Sequence, residues 1–338
     1  MLRELDAHGI VGRGVRRRWA AKYVSPIAGL PLAPLVAPKF LRKGKVKEVY
    51  EVSRDELEFV FTDQISVFDK IIPSLIPNKG ETLCRTSAHW FQVVKDLGIR
   101  THFLRLSGAN KIRVRRVQVI LDYGQITPRT RNFLIPLEVI ARYYVAGSMH
   151  DRLKAGKVRP EEVGFPKGHV PAYGEPFPEP FVEVTTKLEK VDRELTKEEA
   201  LEISKLSSRE YDDLVSAVLR IDARLNADVR KRGLIHVDGK KEFAMDADRQ
   251  LMLVDTFGTA DEDRWWDAAA YEKGEHVELS KEFVRQYYRK TGYHQALMKA
   301  RAANAPEPDI PALPDDVVKQ VSDLYVGLFE RLTGETFR

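Results

Sequence analysis

The stretch that most constrains the fold runs from residue 236 to residue 266 and has the pattern of a β-hairpin. If residues 240–245 form a strand, the side chains of Lys241, Phe243 and Met245 point to one face. Those of Lys240, Glu242 and Ala244 point to the opposite face. Turn-forming residues follow at 246–250, and the apolar return strand ends at Asp255. A turn near residues 248–249 is expected to bring Glu242 roughly opposite Asp255. Two facing carboxylates destabilise a hairpin unless a positive charge lies between them.

The acidic pair of this hairpin allows two interpretations. Carboxylate oxygens suit Mg²⁺, and Lys240 shares their face of the strand. A lysine, a metal ion and two carboxylates on a rigid hairpin could handle nucleotide phosphates. The same pattern fits a solvated hairpin with outward charges, in which Asp238 and Gly239 form only a tight turn. This stretch alone favours the solvated hairpin, because short motifs often match by chance.

The composition excludes several classes of protein. The chain has 338 residues, 43% of them hydrophobic, which is enough for one large or two medium domains. The single cysteine, Cys84, excludes an intramolecular disulfide framework and a multi-cysteine zinc site, and it favours a reducing cytoplasm. No apolar run is long enough to cross a membrane. The net charge of +5 fits anionic small molecules as well as nucleic acid.

The order of patterns along the chain predicts three regions. Residues 1–38 are interpreted as an N-terminal extension, with a targeting signal as the alternative, because prolines interrupt the apolar run after the arginines at 16–18. Residues 39–128 have the pattern of a β-rich lobe, with loops expected at 66–69 and 73–80. Residues 129–338 combine a β-rich run, a proline-rich loop at 159–184 and long amphipathic helices.

Two further clusters have the residue types that bind anions. Gly44 with Lys45 and Lys47 forms a glycine turn in which backbone N–H groups can approach a phosphate, although the P-loop pattern is missing. Arg142 precedes Ser148 in a β-rich run and could bind a phosphate or carboxylate bidentately. An ordinary hairpin turn and an internal Arg–Glu pair explain the two clusters equally well at this point.

The order of the motifs resembles that of the SAICAR synthetase family. Eight motifs recur in sequence between residues 40 and 334: GKVKEVY (44–50), TDQISVFD (62–69), IPNKG (76–80), PLEVIARYYVAGS (136–148), VTTKLE (184–189), HVDGKKEF (236–243), LVDTFGTADEDRWWD (253–267) and ERLTG (330–334). The resemblance implies an enzyme that uses ATP and Mg²⁺ to join L-aspartate to CAIR, a carboxylated aminoimidazole ribonucleotide, in purine biosynthesis.

The resemblance also implies a fold. It is an α+β fold with two lobes, in which an N-terminal antiparallel β-sheet similar to a kinase small lobe is followed by a larger ATP-grasp-like α+β lobe. The active site would lie in the cleft between them. Two departures from the family pattern occur near the hairpin: Thr256 stands where many relatives carry an acid, and Ala244 replaces a usual glycine.

A role for each matching residue follows from the resemblance alone. The implied roles are ATP binding by Gly44, Lys45, Lys47, Glu242 and Asp255; Mg²⁺ binding by Glu242 and Asp255; catalysis by Lys240 and Asp238; and substrate binding by Arg142, Ser148, Arg264 and Lys187. Among the last four, the arginines and the serine would clamp the phosphate of CAIR, and Lys187 would help to hold aspartate or close the site.

Other functions fit parts of the pattern. A different ATP-dependent carboxylate–amine ligase, or a small-molecule kinase, would keep the lysines and the metal acids but would not need Arg142, Ser148 and Arg264 together. A basic nucleic-acid-binding module gives no reason for paired acids on the hairpin. We therefore expect no nucleic-acid or membrane partner, and an enzyme of this kind can form a homo-oligomer.

Overall fold

The chain has a mixed α+β fold built on antiparallel sheets. The computed structural model describes residues 37–189 and 191–338, so most of the predicted extension at 1–38 lies outside the described residues. The strands are β1 (Lys39–Lys43), β2 (Lys47–Glu51), β3 (Glu56–Phe61), β4 (Gln64–Val67), β5 (Lys70–Leu75), β6 (Arg100–Thr101), β7 (Phe103–Gly108), β8 (Lys111–Arg115), β9 (Phe133–Tyr144), β10 (Pro176–Thr186), β11 (Glu194–Leu195), β12 (Leu234–Met245), β13 (Leu251–Val254) and β14 (Asp263–Asp267). The helices are α1 (Lys79–Asp96), α2 (Gly147–Lys154), α3 (Lys197–Ser204), α4 (Ser208–Arg230), α5 (Ala268–Tyr271), α6 (Glu282–Lys290), α7 (Tyr293–Ala302) and α8 (Asp315–Thr333).

The first sheet has the strand order β1-β2-β3-β8-β7, and its pairs are antiparallel. The predicted strand–turn–strand pattern around Gly44 is confirmed. The Gly44 N–H closes this turn by donating to the Lys47 carbonyl oxygen at 2.7 Å. The turn therefore places Lys45 and Lys47 at one end of the sheet.

The second sheet has the order β11-β10-β9-β12-β13-β6, and β14 pairs with the first half of β12. The predicted hairpin is β12–β13, and Arg249 takes a left-handed conformation (φ 56°) in its turn. The predicted register is off by one residue, because Glu242 pairs with Val254 and not with Asp255. Asp255 has a φ of 57°, so the chain leaves the strand at this residue and the strict alternation of faces ends there.

The two faces of β12 have different environments. Phe243 and Met245 join the main core, to which α1, α4 and α8 also contribute. Lys241 is fully buried with Asp222 and Asp263, at 2.5 and 3.5 Å from its Nζ atom. Residues 240 and 242 have the other parity and contact the acids and lysines of the site. Helix α4 begins at the predicted capping box, since the Ser207 hydroxyl accepts from the Glu210 N–H.

Each of the three predicted loops, at 66–69, 73–80 and 159–184, is partly strand in the structure, at residues 66–67, 73–75 and 176–184. β4 and β5 form a hairpin across residues 64–75, with positive φ at both turn residues, Phe68 (51°) and Asp69 (64°). Such a turn joins strands tightly but usually contains glycine or asparagine, so its sequence signal is weak here. The proline-rich stretch at 159–184 becomes β10 from Pro176 onward, and a bulge before Phe181 accommodates the prolines. Across residues 37–189 and 191–338, we find no helix whose length and hydropathy would let it span a membrane.

Candidate active site

Lysines of the glycine turn reach two different acids. Lys47 Nζ forms an ion pair with Asp255 and lies 3.4 Å from Thr256 Oγ1. Lys45 Nζ pairs with Asp69 in the β4–β5 turn. The first sheet is thereby connected through Lys47 to the end of β13, and one of the two predicted ATP lysines, Lys47, is in direct contact with the predicted metal acid Asp255.

The acids Glu242 and Asp255 share a cluster of lysines. Lys187 Nζ lies 2.5 Å from Glu242 Oε1 and 3.4 Å from Glu138 Oε1. Burial, and then the charge of Asp255, raise the pKa of Glu242. Burial would also raise the pKa of Asp255, but Lys47 and Lys187 outweigh it and hold that pKa well below its usual range. The charge of Asp255 thus acts on Glu242, as expected of two acids that lie near one site.

The pair of carboxylates fits Mg²⁺ of the kind that nucleotides bring with them. Within residues 37–189 and 191–338, no group of three or more His, Cys, Asp or Glu side chains could hold a metal ion by itself. Mg²⁺ keeps water and phosphate ligands and needs only one or two carboxylates from the protein. Glu242 and Asp255 supply that number of oxygen donors.

Lys240 lies among three carboxylates on the site face of β12. Its Nζ atom is 3.0 Å from Glu138, 3.5 Å from Glu242 and 3.5 Å from Glu262. Burial would lower the pKa of Lys240, but these acids outweigh burial and raise it well above its usual value. Lys240 is therefore a fixed cation, and 30% of its side chain is exposed and accessible to a ligand.

Two arginines converge on one carboxylate oxygen. Arg142 Nη1 and Arg264 Nη1 lie 2.9 and 2.5 Å from Asp238 Oδ2. Burial would raise the pKa of Asp238, but the two guanidiniums lower it. Arg142 also donates to Glu183 from its Nε at 2.9 Å, so the internal Arg–Glu pair considered above exists together with the shared contact. Both arginines can therefore reach one anion.

The N-terminus of α2 completes this arginine cluster. Ser148 Oγ lies 3.5 Å from Arg142 Nη2. Gly147 has a φ of 52°, and a Cβ atom there would overlap the Arg264 guanidinium. A helix N-terminus with free N–H groups and two guanidiniums is suited to a phosphate.

Two adjoining cavities are lined by part of these groups, whereas Lys47, Lys187, Glu242 and Asp255 line neither cavity. The first, of about 310 Å³, contains the arginine cluster and Lys240, and it is lined by Ile140, Arg142, Ser148, Asp192, Asp238, Gly239, Lys240, Ala260, Asp261, Glu262, Asp263, Arg264, Ser280, Lys281 and Arg285. The second, of about 300 Å³, is lined by Lys45, Ser66, Val67, Phe68, Asp69, Lys281 and Arg285. Lys281 and Arg285 line both, so the cavities meet at the start of α6.

The structure adds residues that the sequence reasoning missed. Lys281, directly before α6, and Arg285 within α6 line both cavities. Their spacing of four residues indicates one helical face, which was the available signal. Glu138 and Asp261 were missed because nothing local marks a strand glutamate or one acid of a charged turn as part of a site.

Comparisons with known proteins identify relatives that match most of the chain. The profile of the SAICAR synthetase family matches residues 40–300. A phosphoribosylaminoimidazole-succinocarboxamide synthase from Thermoplasma volcanium is 54% identical over 88% of this chain and 99% of its own length. The enzyme of that name from Thermoplasma acidophilum is 52% identical over the same shares.

Solved structures show a similar fold. A SAICAR synthase from Saccharomyces cerevisiae, complexed with SAICAR, has a TM-score of 0.69 and 24% identity, and the match covers 92% of this chain and 99% of that one. A type-2 SAICAR synthetase in complex with ADP has a TM-score of 0.63 and 25% identity, with coverage of 88% and 99%. The α+β arrangement of antiparallel sheets is thus common to this chain and these proteins.

Proposed function

Because the chain belongs to the SAICAR synthetase family of ATP-dependent ligases in purine biosynthesis, we propose that its two cavities join L-aspartate to the carboxylate of CAIR, giving SAICAR, ADP and phosphate. The observation that carries this assignment is the convergence of two ligand sets on β12. The arginine pair at Asp238 and the lysine–carboxylate cluster at Glu242 lie only four residues apart on one strand.

We assign ATP to the junction between two lobes, residues 39–128 and residues 129–338. Lys47 supports this, since it comes from the first sheet and pairs with Asp255 beyond β13. Gly44 and Lys45 belong to the same turn, so their groups can contact the phosphates. The relative at 25% identity that was solved in complex with ADP supports a nucleotide here.

We assign Mg²⁺ to Glu242 and Asp255, whose oxygens fit its chemistry. When bound, the ion would neutralise charge on the phosphates of ATP. Lys187 and Lys47 keep the two carboxylates in place before the ion arrives. Lys187 contacts Glu242 in the structure, and its predicted contact with L-aspartate stays a prediction.

We assign the phosphate of CAIR to Arg142, Ser148 and Arg264 at the start of α2. Both guanidiniums already lie within hydrogen-bonding distance of a single carboxylate oxygen, on Asp238. A phosphate can accept from the outer N–H groups of both arginines, while Asp238 keeps their inner N–H groups fixed and faces the imidazole part of the substrate.

We assign L-aspartate to the second cavity. Its lining contains the cations Lys45, Lys281 and Arg285, which suit two carboxylates. Asp69 and the Ser66 hydroxyl lie in the same cavity and can hold the α-ammonium group. Because Lys281 and Arg285 also line the first cavity, the amine of aspartate can approach the carboxylate of CAIR.

The proposed reaction has two steps. A carboxylate oxygen of CAIR attacks the γ-phosphorus of ATP, the bond to the β-phosphate oxygen breaks, and an acyl phosphate and ADP result. The deprotonated amine of aspartate then attacks the acyl carbon, phosphate leaves, and the nitrogen releases a proton. Lys240 stays cationic and neutralises charge on the phosphoryl group as it moves. Positional isotope exchange in ATP with CAIR but without aspartate tests this order, and amine attack before phosphoryl transfer would contradict it.

The decisive assay measures ADP release that requires both CAIR and L-aspartate. Lys240→Ala should lower kcat about 100-fold or more, because an oriented cation at the transition state is lost. Lys197→Ala is the matched control, since Lys197 pairs with Asp212 at 2.6 Å on exposed surface outside both cavities. ADP release without CAIR, or full activity of Lys240→Ala, would refute the assignment.

A thermal-shift panel separates the rival functions. CAIR should raise the unfolding temperature in addition to Mg-ATP. Another carboxylate–amine ligase, or a small-molecule kinase, would respond to Mg-ATP alone. The cytoplasmic location and a homo-oligomer stay predictions from the sequence.

A further inference from the structure

Glu282, the first residue of α6, connects arginines of the two cavities. Its Oε2 atom lies 3.7 Å from Arg264 Nη2 and 3.0 Å from Arg285 Nη1. Its Oε1 atom pairs with Arg289. Arg285 and Arg289 follow Glu282 at positions i+3 and i+7, which places all three side chains on one face of the helix.

The glutamate is buried, so it cannot exchange these arginines for water. Only 4% of Glu282 is exposed. Burial would raise its pKa, but the three guanidiniums outweigh burial and lower it, so the carboxylate stays ionised. A buried carboxylate without cations is strongly disfavoured, and close guanidiniums repel one another without an acid between them. Glu282 is therefore held in place by the surrounding guanidiniums.

The two arginines that share Oε2 belong to different ligand sets. Arg264 contacts Asp238 through Nη1 and lines the first cavity, assigned above to CAIR. Arg285 lines both cavities, including the one assigned to aspartate. Within residues 37–189 and 191–338, Arg285 forms its ion pair with Glu282.

We propose that Glu282 is a positioning residue that couples the binding of CAIR to the binding of L-aspartate. This inference rests on the proposed function, because it uses the assignment of the two cavities. One oxygen of Glu282 serves both arginines. A phosphate that engages Arg264 competes with Oε2 for the charge of this guanidinium, weakens their 3.7 Å ion pair and leaves Oε2 to Arg285. Arg285 is then held more firmly where the second cavity needs a cation, so CAIR increases the affinity for aspartate, and aspartate increases the affinity for CAIR by the same factor.

The test measures the binding of L-aspartate to the full-length protein with ADP and Mg²⁺ present, by calorimetry, without and with saturating CAIR. In the wild-type protein CAIR should lower the Kd of aspartate about tenfold, within the roughly 5- to 150-fold range typical of coupled sites. In Glu282→Gln the factor should fall to about twofold or less, because a neutral amide cannot order two guanidiniums. Glu282→Asp keeps the charge and should restore part of the coupling.

Two control variants separate coupling from general damage. Arg289→Gln removes the arginine of the group that lines neither cavity, and it should leave the coupling factor unchanged. Glu81→Gln removes a glutamate–arginine pair of α1 (3.2 Å to Arg85) and should also leave it unchanged. Retained ADP binding shows that each variant is folded.

The outcomes distinguish the inference from the function on which it rests. A wild-type protein that binds both substrates with no mutual effect overturns the inference without any variant, and so does Glu282→Gln with wild-type coupling. A wild-type protein that binds neither CAIR nor aspartate refutes the proposed function instead. A loss of coupling in Glu282→Gln with partial rescue in Glu282→Asp supports the inference.

Discussion

Lys240 and Lys241 are adjacent in the sequence but lie on opposite faces of β12, so replacing each should have a different effect. Lys241 is fully buried, and its Nζ atom lies 2.5 Å from Asp222 and 3.5 Å from Asp263, both also fully buried. Lys241→Met keeps most of the side-chain volume but leaves two carboxylates in the interior without their cation. The change should therefore affect folding, not substrate binding.

The size of the effect follows from burial. Removing one partner of a buried ion pair costs about 3–5 kcal/mol, because the remaining charge is uncompensated. Adding Asp222→Asn removes that charge and retains an acceptor for the Tyr143 hydroxyl, which donates to Asp222 at 3.1 Å. The double variant should then be more stable than the sum of the two single changes predicts, by about 1–3 kcal/mol.

Urea unfolding followed by tryptophan fluorescence measures these differences, with Trp265 and Trp266 of the paired strand β14 as probes. Lys319→Met is the matched control, because Lys319 is 78% exposed in its pair with Asp323 and should cost less than about 1 kcal/mol. Lys240→Met should lower kcat about 100-fold or more at a smaller cost in stability, since Lys187 still pairs with Glu242. A Lys241→Met protein with the unfolding midpoint of the wild type would refute the reasoning.

Three further predictions follow from single contacts. Gly147→Ala should raise the KM for CAIR about tenfold or more and leave the KM for ATP unchanged in initial-rate assays, because a Cβ atom would displace the Arg264 guanidinium; an unchanged KM for CAIR would contradict this. Lys47→Gln should weaken ADP binding about tenfold in equilibrium dialysis, since the cation beside Asp255 is lost, and unchanged binding would place the nucleotide elsewhere. Burial raises the pKa of Glu278 from 4.5 to about 7, so the folded protein keeps a proton that the unfolded chain releases. Stability from this group is present below pH 4.5 and should be lost, on the order of 3 kcal/mol, as the pH rises to about 7. Glu278→Gln should remove that loss in urea titrations, and the same pH dependence in both proteins would show the cause to be another group.

Patterns set by neighbouring residues predicted the local structure well. The alternation from Lys240 to Met245 predicted the hairpin because side chains of a strand alternate between faces in any fold. The capping box at Ser207 predicted the start of α4 because it depends on residues within one turn. The shift of register at Asp255 escaped prediction, since a single left-handed residue changes the pairing without a glycine to mark it.

The groups that complete the candidate site were less predictable because they come from distant parts of the chain. Glu138, Lys187 and Lys240 meet only after β9, β10 and β12 have paired. The family resemblance supplied the residues with recognisable motifs, such as Arg142 and Arg264. It did not supply Glu282 or Arg285, whose positions depend on how α6 packs beside the cavities.

Because the two faces of β12 have different environments, the number of residues in this strand can vary little. Inserting or deleting one codon between Gly239 and Lys240 would turn over the following part of the strand, because side chains alternate with a period of two. The ammonium group of Lys240, which lines the first cavity, would enter the interior, and the ring of Phe243 would leave the core. Changes in length are therefore expected to be harmful within this strand.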